Sequence, residues 1–134
     1  MSECKYKSFD DLPEVKGFDW KVARMYHEDV DMLCMLLTEY NKNINDYASQ
    51  LESYCSAFPD EAAVKDFLIR IHSVKGTSAW VGAVHISDTA RRIESYAKKR
   101  QFDTVQKELP SFIDEYRSLG KDLHIITGLH IEGV

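Results

Sequence analysis

The run Ile71-His72-Ser73-Val74-Lys75-Gly76-Thr77-Ser78-Ala79-Trp80-Val81-Gly82-Ala83 sets an imidazole, an ammonium group and a residue without a side chain within little more than one helical turn. At about 100° per residue, Phe67, Ile71, Val74, Ser78 and Val81 share one face of a helix, and His72 points roughly 130° away from the centre of that face. An exposed histidine is therefore expected. Lys75 and Gly76 follow one turn along, on either side of its meridian, and Ala79 lies in line two turns on. An imidazole near its unperturbed pKa of about 6.5 is largely neutral at cytosolic pH, and one ring nitrogen is then nucleophilic without a dedicated base. A cation and small residues around it suit a phosphoryl group and an incoming partner better than a core. His27, His85, His124 and His130 show no metal-ligand spacing, and His27-Glu28 lacks the second histidine of a zinc-protease helix. No metal site and no cofactor are expected.

The elements that must hold His72 out are legible as apolar periods. Val30, Leu33, Leu37, Tyr40, Ile44, Tyr47, Leu51, Tyr54 and Phe58 recur at steps of three and four, the seam of a bundle helix that nothing breaks before Pro59. Asp60 is a candidate N-cap for a helix from Glu61 to about Val81, which carries His72, and Gly82 loosens the backbone at its end. A third pattern runs over residues 84–99 through Ile86, Ala90, Ile93 and Ala97. The last, Val105, Leu109, Phe112, Tyr116, Leu119, Leu123 and Ile126, predicts a helix that kinks at Pro110 or begins near it. Asp19 is a candidate cap for a short helix from Trp20 to about Tyr26, with Trp20, Ala23 and Met25 laid over one end of the body. The expected fold is all-α, an antiparallel up-down four-helix bundle over residues 18–126 with a short additional N-terminal helix. Residues 1–17 are read as a flexible leader and 127–134 as a loose tail.

Composition narrows the class. A chain of 134 residues forms one domain. No apolar run approaches the ~18 residues of a membrane span, and no signal-peptide core is present, so a cytoplasmic protein without membrane insertion is expected. The three cysteines, Cys4, Cys34 and Cys55, are widely spaced and indicate neither a disulfide framework nor a zinc motif; Cys55 falls on a helical core face. Net charge is −5, yet residues 61–100 hold eight Lys/Arg against four Asp/Glu, leaving nine against eighteen elsewhere. The His72 segment is thus the basic part of an acidic protein, which argues against general nucleic-acid binding and suits a local contact with a phosphate or an acidic protein. The bland alternative is that Arg91, Arg92, Lys98, Lys99 and Arg100 form a solvated helix face. No glycine-rich phosphate loop, nucleophile elbow or paired-carboxylate motif supports a hydrolase or an oxidoreductase.

The stretch His72-Ser73-Val74-Lys75-Gly76-Thr77-Ser78, followed by Gly82-Ala83 and by Ile93-Glu94 one helix later, resembles the signature of histidine-containing phosphotransfer (HPt) domains. The resemblance spans about Phe18 to Ile126. Val74 stands where leucine is common, Trp80 where a small polar residue is usual, and Glu94 where some members carry a glutamine bonded to the imidazole. It implies a phosphorelay intermediate without autonomous catalysis: His72 accepts a phosphoryl group from a receiver-domain aspartyl phosphate and passes it to another receiver. Lys75 would offset the phosphate charge, and Gly76 would leave room for it. The metal and the aspartate would belong to the receiver. Implied partners are response-regulator receivers and a sensor or hybrid histidine kinase, with the chain itself a monomer.

Leu68, Ile69, Ala79 and Trp80 surround His72 and form a candidate docking surface, Trp80 being the strongest anchor. Ile69 and Trp80 equally suit packing under the N-terminal helix or the neighbouring one. Glu94 either orients His72 or pairs with Lys98 four residues on. Two further readings stand beside the relay: the phosphoacceptor domain of a chemotaxis-type histidine kinase, and a non-phosphorylated helical adaptor.

Overall fold

The computed structural model describes residues 6–127 and is helical throughout its regular elements. A 3-10 turn at Phe9–Asp11 precedes five α-helices: α1 (Trp20–Tyr26), α2 (Val30–Glu52), α3 (Glu61–Trp80), α4 (Val84–Lys98) and α5 (Phe102–Thr127). Helices α2 to α5 close a ring in which α2 meets α3 and α5, and α4 meets α3 and α5; α1 lies on α3. The short connections 81–83 and 99–101 force consecutive helices antiparallel, so the four form an up-down bundle.

The apolar stripes face one shared core. Leu33, Leu37, Ile44 and Leu51 from α2 meet Phe67, Ile71 and Val74 from α3, Ile86 and Ile93 from α4, and Val105, Leu109, Phe112 and Tyr116 from α5. Asp60 caps α3 through its carboxylate on the Ala63 N–H at 3.0 Å, and Asp19 caps α1 through the Lys21 N–H. Helix α5 runs unbroken through Pro110, which sits on the exposed side, where a lost backbone bond is compensated by water.

Several expectations are corrected. Helix α2 ends at Glu52, before Pro59: the Ser53 hydroxyl donates to the Gln50 carbonyl, and the following bonds, such as Tyr54 N to Leu51 O and Cys55 N to Glu52 O, are of the tighter i to i−3 kind. Tyr54 and Phe58 still reach the core from these turns, both edge-on to Phe67. Cys55, in the same turns, is only half-buried. Met25 is one of the most exposed apolar residues and does not cover the body, a part taken by Ala23 and the half-buried Trp20.

Residues 6–17, read as a flexible leader, lie against the bundle: Leu12 and Val15 are buried, and the Trp20 indole N–H donates to the Pro13 carbonyl at 2.9 Å. The remainder of that leader and residues 128–134 of the expected tail lie outside the described residues.

Gly82 is a tight joint rather than a loose end. Its N–H bonds Ala79 O and the Ala83 N–H bonds Ser78 O, the paired bonds of a Schellman cap, with Gly82 at φ +86°. A Cβ there would stand 2.9 Å from the Asp19 carbonyl oxygen and 3.0 Å from the Ala23 Cβ. The missing side chain therefore lets α1 dock on the α3–α4 corner, where the Asp19 N–H donates to Gly82 O at 2.8 Å.

Candidate functional site

Helix α3 presents His72 near its middle, with 65% of the side chain exposed. Its position is held from both neighbouring helices. The buried Tyr40 hydroxyl of α2 and Ser78 Oγ of α3 lie 2.7 Å apart, and the Ser87 hydroxyl of α4 donates to the Lys75 carbonyl at 3.0 Å. These bonds pin α3 on the side opposite the histidine.

Glu94 organises the polar chemistry. It projects from α4 with 6% of its side chain exposed, and each carboxylate oxygen is engaged: Oε2 lies 2.8 Å from His72 Nδ1, and Oε1 accepts from Lys75 Nζ at 2.8 Å. Lys98 Nζ stands 3.7 Å from Oε2. Burial pushes the carboxyl group toward its neutral form, but the hydrogen bonds from Lys75 and His72 and the charges of Lys75 and Lys98 outweigh it, holding Glu94 below the usual carboxylate range. Glu94 is thus an anion and accepts only, which assigns the proton of the His72–Glu94 bond to Nδ1. Nε2 then carries the lone pair, on the outward edge of the ring.

Two partners weighed for Glu94 from sequence are both present, since it contacts His72 and Lys98 together. Lys75, expected to offset phosphate charge, reaches it as well, and its ammonium lies on the carboxylate. Gly76 has open space where a Cβ would be, with nothing within 4 Å.

A groove of about 720 Å³ runs beside His72 between α2 and α3, lined among others by Leu36, Tyr47, Gly76, Thr77 and Trp80. Trp80 is half exposed; its ring stacks on Tyr26 at 5.8 Å and meets the His27 edge at 5.2 Å, while His27 Nε2 lies 2.8 Å from the Trp80 carbonyl oxygen. Ile69 is exposed beyond the other end of the groove, near Tyr47 and Arg70. Ala79 is half-buried, and Leu68 leans into the core margin. Leu36, Asn43 and Tyr26 also border this region but escaped the sequence reading. Leu36 and Asn43 are seven residues apart on α2, a second stripe beside the core seam that would have flagged them.

Of the basic residues in this segment, Arg92 bonds Glu108 at 3.3 Å and Arg100 bonds Glu61, so both clamp helices on the surface. Lys98 alone among the five faces the His72 site. No helix among the described residues is long and apolar enough to cross a membrane.

An antiparallel helical bundle displaying one histidine, with a carboxylate and a lysine beneath it, defines a histidine phosphotransfer fold. The sequence model of the Hpt domain matches residues 31–122, more than two thirds of the chain, and the chain belongs to the Hpt domain family. Domains of this family are phosphotransfer modules of two-component signalling. Comparison with curated proteins and with solved structures finds no match.

Proposed function

We propose that this domain, spanning residues 18–126, is a cytoplasmic phosphorelay intermediate. His72 takes a phosphoryl group from a receiver-domain aspartyl phosphate and passes it to a second receiver, and a sensor or hybrid histidine kinase stands upstream. The observation that carries the reading is the solvent-facing imidazole whose Nδ1 is tied to a buried carboxylate. That bond leaves Nε2 as the nucleophile.

In the transfer, the Nε2 lone pair attacks phosphorus in line, the P–O bond to the receiver carboxylate breaks, and the electron pair leaves with the carboxylate. Glu94 fixes the tautomer and the ring plane, so little reorganisation remains at the moment of attack. The open space at Gly76 admits the phosphoryl group and the receiver loops. Lys75 and Lys98 against Glu94 leave the site net positive, which favours an incoming phosphate. The donor supplies metal and aspartate, so no autonomous catalysis is assigned to this chain.

The groove floor between α2 and α3, with Trp80 and Ile69 at its margins and Ala79 and Leu68 along the ridge, is the docking face in this reading. A monomer suffices, since the acceptor is open to solvent.

The His72–Glu94 bond also favours a second reading, the acceptor domain of a chemotaxis-type kinase. A carboxylate-partnered imidazole is a stronger nucleophile, which helps most against a phosphoanhydride less activated than an acyl phosphate. One experiment separates the readings. Incubation with labelled phospho-receivers is expected to place acid-labile, alkali-stable label on the wild type and none on His72→Gln. Label only from a cognate kinase domain would favour the second reading. No label from either source would leave a helical adaptor.

A further inference from the structure

We propose that Glu94 keeps the phosphorylated His72 ring protonated at Nδ1, and so keeps it competent to release its phosphoryl group at alkaline pH, where an unpartnered phosphohistidine loses that competence. The inference rests on His72 as the acceptor and assigns Glu94 as a positioning residue for the second half of the relay.

Loading forms the Nε2–P bond while Nδ1 keeps its proton, so the ring becomes a cation. In discharge the P–Nε2 bond breaks, its electron pair returns to Nε2, and the phosphoryl group passes to a carboxylate oxygen of the next receiver. The proton stays on Nδ1 throughout, and the leaving group is neutral imidazole. A ring that has lost the Nδ1 proton must instead depart as an imidazolate anion, a far stronger base and a poor leaving group. The charge state at Nδ1 therefore governs the discharge rate.

The geometry places a carboxylate where that charge must be held. Glu94 Oε2 lies 2.8 Å from Nδ1, and the carboxylate is almost wholly out of solvent, where a direct ion pair is screened least. An opposite charge within about 4–6 Å favours the charged form of a titratable group, so the ring beside Glu94 holds its proton to higher pH.

Other groups facing the pair are few. From α3, Lys75 sits on the far carboxylate oxygen, and from α4, Lys98 stands 3.7 Å from the near one. From α2, Glu39 and the phenols of Tyr40 and Tyr47 line the groove beside the ring. Among the described residues, α5 contributes no ion pair to Glu94. The two lysines oppose a ring cation but are held on the carboxylate itself, and they keep it ionised. Among the described residues Glu94 is the group that bonds the ring, so its sign prevails.

The test uses the full chain phosphorylated chemically with phosphoramidate, which needs no receiver. The ring nitrogen shifts of phospho-His72 are followed against pH by NMR, alongside the pH profile of discharge to an unphosphorylated receiver. Glu94→Gln keeps an acceptor at the same place and removes the charge. Its ring is expected to titrate at least about one unit lower than the wild type, tenfold in the protonation constant, with the discharge rate falling off at correspondingly lower pH. Lys75→Gln keeps the carboxylate and removes an opposing cation, so its midpoint is expected at or above that of the wild type. Equal midpoints in wild type and Glu94→Gln would overturn the proposal, and so would a fall in Lys75→Gln. Failure of every receiver and kinase to load the wild-type chain would overturn the acceptor reading instead, and the chemically loaded ring still reports on Glu94.

Discussion

A Cβ added at Gly76 would meet open space, so no packing inside the domain asks for glycine there. Glycine in a helix interior costs about 1 kcal/mol relative to alanine. A position that carries this cost for no internal contact is best explained by something that approaches from outside. Gly76→Ala is accordingly expected to raise stability by up to about 1 kcal/mol, seen as a higher melting temperature, while slowing phosphotransfer from a receiver. Transfer at the wild-type rate would remove Gly76 from the site. Position 94 follows the opposite logic. A carboxylate with 6% of its side chain exposed belongs there only because three basic side chains surround it. That shared anion makes the family's histidine and lysine one unit, so substitution at any of the three alters the other two.

At the scale of elements, the α3–α4 corner ties architecture to site. Gly82 ends α3 in the left-handed region and at the same time admits the backbone of α1. Any other residue meets both demands badly. A left-handed backbone costs a side-chain-bearing residue about 1–2 kcal/mol, and the overpacking a further 1–3. Gly82→Ala is thus expected to destabilise the domain by about 2–5 kcal/mol in urea unfolding. Amide exchange at Asp19, whose N–H bonds Gly82 O, should accelerate beyond that global loss as α1 lifts away. Protection retained at Asp19 would show that α1 is anchored elsewhere, by Trp20 on Pro13 or by His27 on the Trp80 carbonyl. Because α1 carries Tyr26, its docking also sets how the Trp80 ring stands at the end of the groove.

Across the whole molecule, the face proposed for docking belongs to no single helix. Tyr26 comes from α1, Leu36 and Tyr47 from α2, and His72, Gly76 and Trp80 from α3. Trp80 is half exposed even though it stacks on Tyr26, so a substantial apolar surface stays in water beside His72. Trp80→Ala is expected to slow receiver transfer several-fold with only a modest fall in melting temperature. Unchanged transfer rates with a lowered melting temperature would assign Trp80 to packing alone. The surface ion pairs Glu52–Arg117 and Arg92–Glu108 join different helices, and Glu61–Arg100 ties α3 to the turn between α4 and α5, yet exposed pairs of this kind contribute little each. Cohesion comes from the core shared by the four long helices.

Sequence alone determined what local periodicity governs. The apolar stripes located the helices, Asp19 and Asp60 marked two of their starts, and the angular position of His72 foretold its exposure, because i, i+3 and i+4 relations are written in a single helix. The site chemistry was legible to the extent that it sits on α3. Other features needed the folded chain. The end of α2 at Glu52 was hidden because Tyr54 and Phe58 keep the helical spacing while reaching the core from turns. Gly82 read as a loose end because its demand for space arises from α1, some 60 residues earlier. The partner of Lys75 was not legible because the carboxylate it binds lies on another helix, 19 residues away. The tertiary structure decided the charge and tautomer of the site, since these depend on groups that meet only when α3 and α4 pack side by side.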